Sequence, residues 1–121
     1  MIPVDDFLPA VGQGIIAIEA RGDDERALAL LAAVNHADTA AALTAERAFL
    51  TVLEGSCRTP IAGHAVVAAG RLRFRGLIAK PDGSGVLETK RQGAAADAVR
   101  LGAEAGRELK QRAGADFFAP V

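Results

Sequence analysis

The sequence predicts an α+β domain, a small three-stranded antiparallel sheet with three helices packed on one face in the order (β)ααβββα. Three observations predict it. Alanine- and leucine-rich stretches recur at helical spacing over residues 24–53 and 95–112. Residues 61–91 show period-two alternation punctuated by glycine, proline and aspartate. The two patterns are segregated along the chain, which favours an antiparallel sheet with helices to one side over a βαβ repeat.

The opening, Met1 to Gly14, has no periodicity and reads as a loop. Gly12-Gln13-Gly14 lacks the third glycine of a phosphate-binding fingerprint and reads as a turn. The next run, Ile15 to Ala20, is short and rich in isoleucine, as expected of a buried strand ended by Arg21-Gly22. Asp23-Asp24-Glu25 then puts acidic residues where a helix begins, so the first helix is expected from about Asp24 to Val34. Asn35-His36-Ala37 breaks it and Asp38 is expected to cap a second helix, whose apolar stripe is Ala42, Leu43, Ala45, Phe49, Leu50 and Leu53. Glu46 and Arg47 lie beside that stripe, where the ordinary reading is a solvated face.

Ile61 to Ala69 reads as a strand and Gly70 as a turn. In a second strand Leu72, Phe74 and Ile78 alternate with Arg73 and Arg75. Pro81-Asp82-Gly83-Ser84 has turn chemistry before a third strand from about Gly85 to Arg91. Arg71, Arg73 and Arg75 are expected on the solvent face of this meander. A last helix from about Ala95 to Arg112 aligns Ala98, Leu101, Ala105 and Leu109, with Gly114 as its C-cap and Phe117 and Phe118 folding back as apolar anchors.

With 121 residues, half of them hydrophobic, and a net charge of −1, the chain describes one soluble domain able to bury a core. Its fourteen basic and fifteen acidic residues are spread out, so no block argues for nucleic acid or a membrane surface. No apolar run approaches the roughly 18 residues of a membrane span. A single cysteine excludes an internal disulfide and a Cys-cluster zinc site, and points to the cytosol. His36 and His64 lack metal-ligand spacing with each other or with Cys57, so no metal is expected.

That cysteine lies in Leu53-Glu54-Gly55-Ser56-Cys57-Arg58-Thr59-Pro60, between the second helix and the first strand of the meander. Gly55 lets backbone approach a ligand, and Pro60 ends the helix and biases Thr59 toward extended backbone, which displays Cys57 on a loop. A lone cysteine is most often a small core residue. Here Arg58 and Arg47 favour the nucleophilic thiolate and Glu54 opposes it. Two readings stay open at this level: an ordinary thiol in a free-standing α+β binding or regulatory module, and a thiol enzyme pairing Cys57 with His64.

The segments LPAVGQG at Leu8 to Gly14, IEARGDD at Ile18 to Asp24, TAERAFLTVLEGSCRTPIAGHA at Thr44 to Ala65, and RGLIAKPDGS at Arg75 to Ser84 resemble the porphobilinogen deaminase (hydroxymethylbilane synthase) family. They follow the family's order through nearly the whole chain, which resembles its C-terminal part. The resemblance implies that residues 1–21 belong to an upstream domain as return strand and hinge, and that 22–121 form the C-terminal cofactor-carrying domain. A strand at Ile15 to Ala20 without its sheet is then expected to be disordered, paired with a neighbour or rearranged. In the family the matching cysteine holds a dipyrromethane cofactor by a thioether. The cofactor primes addition of four porphobilinogen units, with loss of ammonia, to give hydroxymethylbilane in tetrapyrrole (heme, porphyrin) biosynthesis. Thus Cys57 is the implied attachment residue of a cytoplasmic transferase, with Gly55 and Ser56 beside it.

Pyrrole acetates and propionates require arginine forks and backbone donors, so Arg21, Arg47, Gln13 and Gly14 are implied cofactor or substrate contacts. The family's catalytic aspartate belongs upstream, and none of Asp5, Asp6, Asp23 or Asp24 matches it. No catalytic residue is therefore expected here, and the chain alone is expected to be inactive. Implied partners are porphobilinogen, the growing polypyrrole chain and the missing N-terminal domains, in a monomeric parent with no nucleic-acid or membrane partner. Arg58 stands where the family often has glutamine, and His64 where it often has an aromatic.

Overall fold

A computed structural model describes residues 1–54 and 59–118. Helix α1 spans Glu25–Val34 and α2 spans Ala37–Leu53. Strands β1 (Ile61–Ala68), β2 (Arg71–Ala79) and β3 (Val86–Ala94) follow, then a short 3₁₀ turn, Ala95–Asp97, and α3 (Ala98–Ala113). The strands form an antiparallel meander in the order β1-β2-β3, so the expected α+β class and element order are observed.

Local chemistry sets the boundaries. Asp24 caps α1 by accepting the Ala27 N–H at 3.0 Å. His36, rather than the expected Asp38, caps α2: its Nδ1 accepts the Thr39 N–H at 3.2 Å, leaving Asp38 in the first turn against the helix dipole. Helix α2 ends at Glu54 in the left-handed region, φ 54°. The β1–β2 turn places Ala69 and Gly70 both at positive φ, the backbone that a two-residue hairpin on twisted strands requires. In the next turn Asp82 accepts the Ser84 N–H at 2.9 Å and Gly83 adopts φ 77°. The final helix starts later than expected, because Ala95–Asp97 first makes a tighter turn and β3 continues to Ala94.

The run Ile15 to Ala20 is not a strand. No ladder reaches it among the described residues, and Ile16 is 93% and Ile18 63% exposed. Its composition suits a strand, but no neighbouring strand is there to pair with it. Helix α1 likewise buries none of its residues, so two of the three helices, α2 and α3, cover the sheet.

The core centres on Phe49, which is fully buried. Gly63 on β1 and Gly76 on β2 are paired across the sheet, and the Phe49 ring lies on them. A Cβ on Gly76 would come within 2.6 Å of Phe49 Cζ. Phe74 meets the same ring at a centroid distance of 4.9 Å, and Leu72, Ile78, Leu101 and Leu109 complete the buried cluster. Helices α2 and α3 approach to backbone contact. A Cβ on Gly102 would lie 2.0 Å from the Ala45 carbonyl oxygen, and one on Gly106 would lie 3.0 Å from that of Phe49.

Both sheet edges are met by side chains from the covering helices, and the β1 edge also by the N-terminal loop. On β1, the Gly63 N–H donates to the Pro9 carbonyl at 3.0 Å and the Ala65 N–H to Glu46 of α2 at 3.4 Å. On β3, the Glu88 carbonyl accepts from Arg112 of α3 at 2.9 Å. Glu108 ties α3 to β3 through the Thr89 hydroxyl and Arg91. The Thr89 bond, ahead of the Arg91 pairing, holds the carboxyl below its ordinary range. Phe117 folds back into the core against Phe118, edge to face at 5.3 Å, with the Lys80 ammonium 5.9 Å above it.

Overpacking a well-filled core costs about 1–3 kcal/mol and more when backbone must move, so Gly102→Ala should destabilise the fold by roughly 3 kcal/mol. Gly22→Ala, with nothing within 4 Å of the added carbon, should change it little. Urea midpoints of the two variants measure the difference.

Candidate functional site

Cys57, with Gly55, Ser56 and Arg58, lies outside the described residues. The elements on either side are well defined. Upstream, α2 terminates at Glu54, whose N–H returns to the Thr51 carbonyl at 3.1 Å. Downstream, the Pro60 carbonyl accepts the Ala79 N–H at 2.9 Å, which fixes the start of β1 on β2. A cation stands at the end of α2: Lys110 of α3 donates to the Val52 carbonyl at 3.3 Å and pairs with Glu54 at 3.8 Å. Lys110 lies in the last turn of α3. Its role at the C-terminus of α2 depends on the α2–α3 contact, which the linear pattern does not display.

The implied contact residues fall into two groups. Arg47 and Gly12 line one groove together with Val11, Ile15, Leu43 and Leu50, so the Gly12–Gly14 turn lies next to the exposed Arg47. Gln13 and Gly14 are exposed in that turn, which closes with Gln13 N–H to Ala10 carbonyl at 3.4 Å. Arg21 is not among the residues lining the groove. Its side chain is 81% exposed and meets Asp24 at 3.6 Å, a surface pair of small energetic weight. His64 points to the open side of the sheet, in a pocket shared with Arg73, Arg75 and Lys90.

Glu46 is the residue that sequence reading misplaced. It is 3% exposed, not part of a solvated face. Its two oxygens accept different backbone donors, Gly12 N–H at 3.0 Å and Ala65 N–H at 3.4 Å. One carboxylate thus holds the glycine turn, α2 and β1 together. The signal was present: Ala42 lies four residues before it and Phe49 three after, so Glu46 sits on the buried stripe itself. Burial pushes its carboxyl above the ordinary 4.5, outweighing the two backbone hydrogen bonds and the nearby His64.

Among the described residues no three His, Cys, Asp or Glu side chains converge as metal ligands, and no single helix is long and apolar enough to cross a membrane.

The profile of the "Porphobilinogen deaminase, C-terminal domain" family matches residues 40–111. The chain is 57% identical over 118 residues to the porphobilinogen deaminase of Nitrobacter hamburgensis, covering 98% of this chain and 37% of that protein. It is 54% identical over 114 residues to that of Paracoccus denitrificans, covering 94% and 36%. It is 51% identical over 120 residues to the chloroplastic porphobilinogen deaminase of Pisum sativum, covering 97% and 32%. The chain therefore spans about a third of the length of the curated relatives it matches.

A carboxyl that titrates above 4.5 when folded favours the neutral form. Its contribution to stability is complete below that value and declines as pH rises through the folded one. Glu46→Gln should flatten that decline in urea titrations run across the weakly acidic range. Glu46→Ala leaves two backbone donors unpaired and should cost about 2 kcal/mol by the same measurement.

Proposed function

The chain belongs to the porphobilinogen deaminase family through its C-terminal domain, and from that premise we propose that it is the cofactor-carrying part of a hydroxymethylbilane synthase. The parent transferase would join four porphobilinogen units with release of ammonia. Cys57 would hold the dipyrromethane cofactor as a thioether. Residues 1–21 would belong with the upstream domains, with which the exposed Ile16 and Ile18 would pack. A cytoplasmic location agrees with this reading.

The observation that carries the proposal is the continuous family match through both elements that bound Cys57, α2 and the β1–β2 hairpin. The residues around the segment fit the group. Cys57 is the chain's single thiol, so thioether attachment has one possible address. Arg47, on the side of α2 that faces the glycine turn, supplies a cation for a ligand rich in carboxylates, and Lys110 of α3 supplies another at the C-terminal end of the same helix. The Gly12–Gly14 turn exposes backbone beside Arg47. Bound there, the dipyrromethane would supply a nucleophilic pyrrole; Cys57 would tether it, while Arg47 and the turn would restrain its acetates and propionates.

The polymerisation also needs the family's acid–base carboxylate, which none of Asp5, Asp6, Asp23 or Asp24 matches. The 121-residue chain alone should therefore form no hydroxymethylbilane from porphobilinogen.

Intact mass and peptide mapping of the full-length gene product provide the test, with Ehrlich's reagent as a colour check. A two-pyrrole adduct on the Cys57 peptide, absent from Cys57→Ser, is the expected result. An unmodified thiol that stays unmodified after incubation with porphobilinogen would sink the proposal in favour of a binding or regulatory module. Arg47→Ala should reduce hydroxymethylbilane formation by at least about tenfold, since a lost charge-assisted contact costs roughly 1.5–3 kcal/mol.

A further inference from the structure

Helices cover one face of the sheet; the other is rich in cations, also carries Val66, Leu77 and Glu88, and is met at one end by residues 4–8. Arg71, Arg73 and Arg75 occupy alternate positions of the central strand and point away from the buried Leu72, Phe74, Gly76 and Ile78. The register sets His64 directly opposite Arg75 on one side and Lys90 directly opposite it on the other. Like charges facing each other across strands destabilise a sheet. This chain nevertheless collects four permanent cations on one face while its net charge is −1. Among the described residues, Arg71, Arg73 and Lys90 form no ion pair, and Arg75 meets a single carboxylate, Asp5, at 3.2 Å.

We propose that this face is a docking surface for an acidic, extended segment of a second protein, its carboxylates seated on Arg71, Arg73, Arg75 and Lys90. Three observations select that occupant. The Asp5–Arg75 pair shows a carboxylate taken at this surface, from the turn at residues 4–6 of the N-terminal segment. Alternate residues along a strand repeat at about 6.6–7 Å, so the arginine row matches a peptide with an acidic residue at every second position. No Phe projects from the three strands on this face, Phe74 pointing inward, and Phe7 of the N-terminal segment stands at one end only, beside Arg75 and Leu77, so the arginine row has no run of aromatic platforms on which single-stranded nucleic acids stack. The exposed apolar residues Ile16, Ile18, Leu30 and Val34 belong to other segments, residues 15–20 and α1, and offer a separate surface for the rest of the parent protein.

The test uses the full-length protein and a fluorescein-labelled peptide of alternating glutamate and serine, about eight residues long, read by anisotropy. Binding is expected, weakening about tenfold in the Arg73→Glu, Lys90→Glu double variant and as salt rises from about 50 to 300 mM. The neutral pair Arg73→Gln, Lys90→Gln should show an intermediate loss with an unchanged melting curve, separating lost contacts from lost fold. Absent binding, equal affinity in the variants, or tighter binding of a single-stranded oligonucleotide than of the peptide would overturn the proposal.

Discussion

The fold depends on one ring. Phe49 needs a flat floor, and the Gly63–Gly76 pair supplies it by removing two side chains at a single cross-strand position. Only then can α2 lie close enough to the sheet for Ala45 to be buried and for α3 to approach α2 to backbone distance at Gly102 and Gly106. A side chain at any of these glycines would meet a ring, a carbonyl or a β-branched carbon, so the contacts support one another. Losing the Phe49 side chain would open a cavity at their shared centre, a change that typically costs about 3–5 kcal/mol. Because α2 and β1 flank Cys57 directly, the same packing fixes both sides of that segment.

A second constraint follows from the first. A three-stranded sheet has two edges with unpaired backbone groups, and this one covers part of each with a charged side chain from the helix packed nearest. On β1 the covering group is Glu46, which also grips the Gly12 N–H. Edge protection and placement of the glycine turn are thus one interaction. A carboxylate held between two backbone N–H groups in a buried position has lost its water, which raises its pKa, and the hydrogen bonds only partly compensate. The protein accepts that cost to keep the turn beside Arg47.

The sequence made the elements legible where one physical signal dominated. Period-two alternation in β2 and the spacing of Ala98, Leu101, Ala105 and Leu109 each match the buried faces observed. It misled where composition and context diverge. Ile15 to Ala20 has the residues of a strand, but a ladder needs a partner, and none of the described strands pairs with it. His36 rather than Asp38 caps α2 because an imidazole nitrogen can accept the Thr39 N–H as an aspartate oxygen would. Glu46 was assigned by charge to a solvated face, although its register is apolar. Glycines 102 and 106 carried no sequence signal, since close helix approach is a property of two elements and neither shows it alone. Among the site residues, the neighbourhood of Arg47 with the glycine turn became visible only when α2 was folded against residues 11–15.

These constraints divide the surface by chemistry. The side built from α2, the glycine turn and residues 15–20 is partly apolar and carries Arg47, the combination suited to an anionic ligand held next to a further protein layer. The other side of the sheet is rich in cations, and its arginines alternate with core residues on the same strand. Period-two geometry forces that pairing: a strand with Leu72, Phe74 and Ile78 inward must present Arg71, Arg73 and Arg75 together outward. One three-stranded sheet thereby anchors the Phe49 core on one face and displays a charged row on the other.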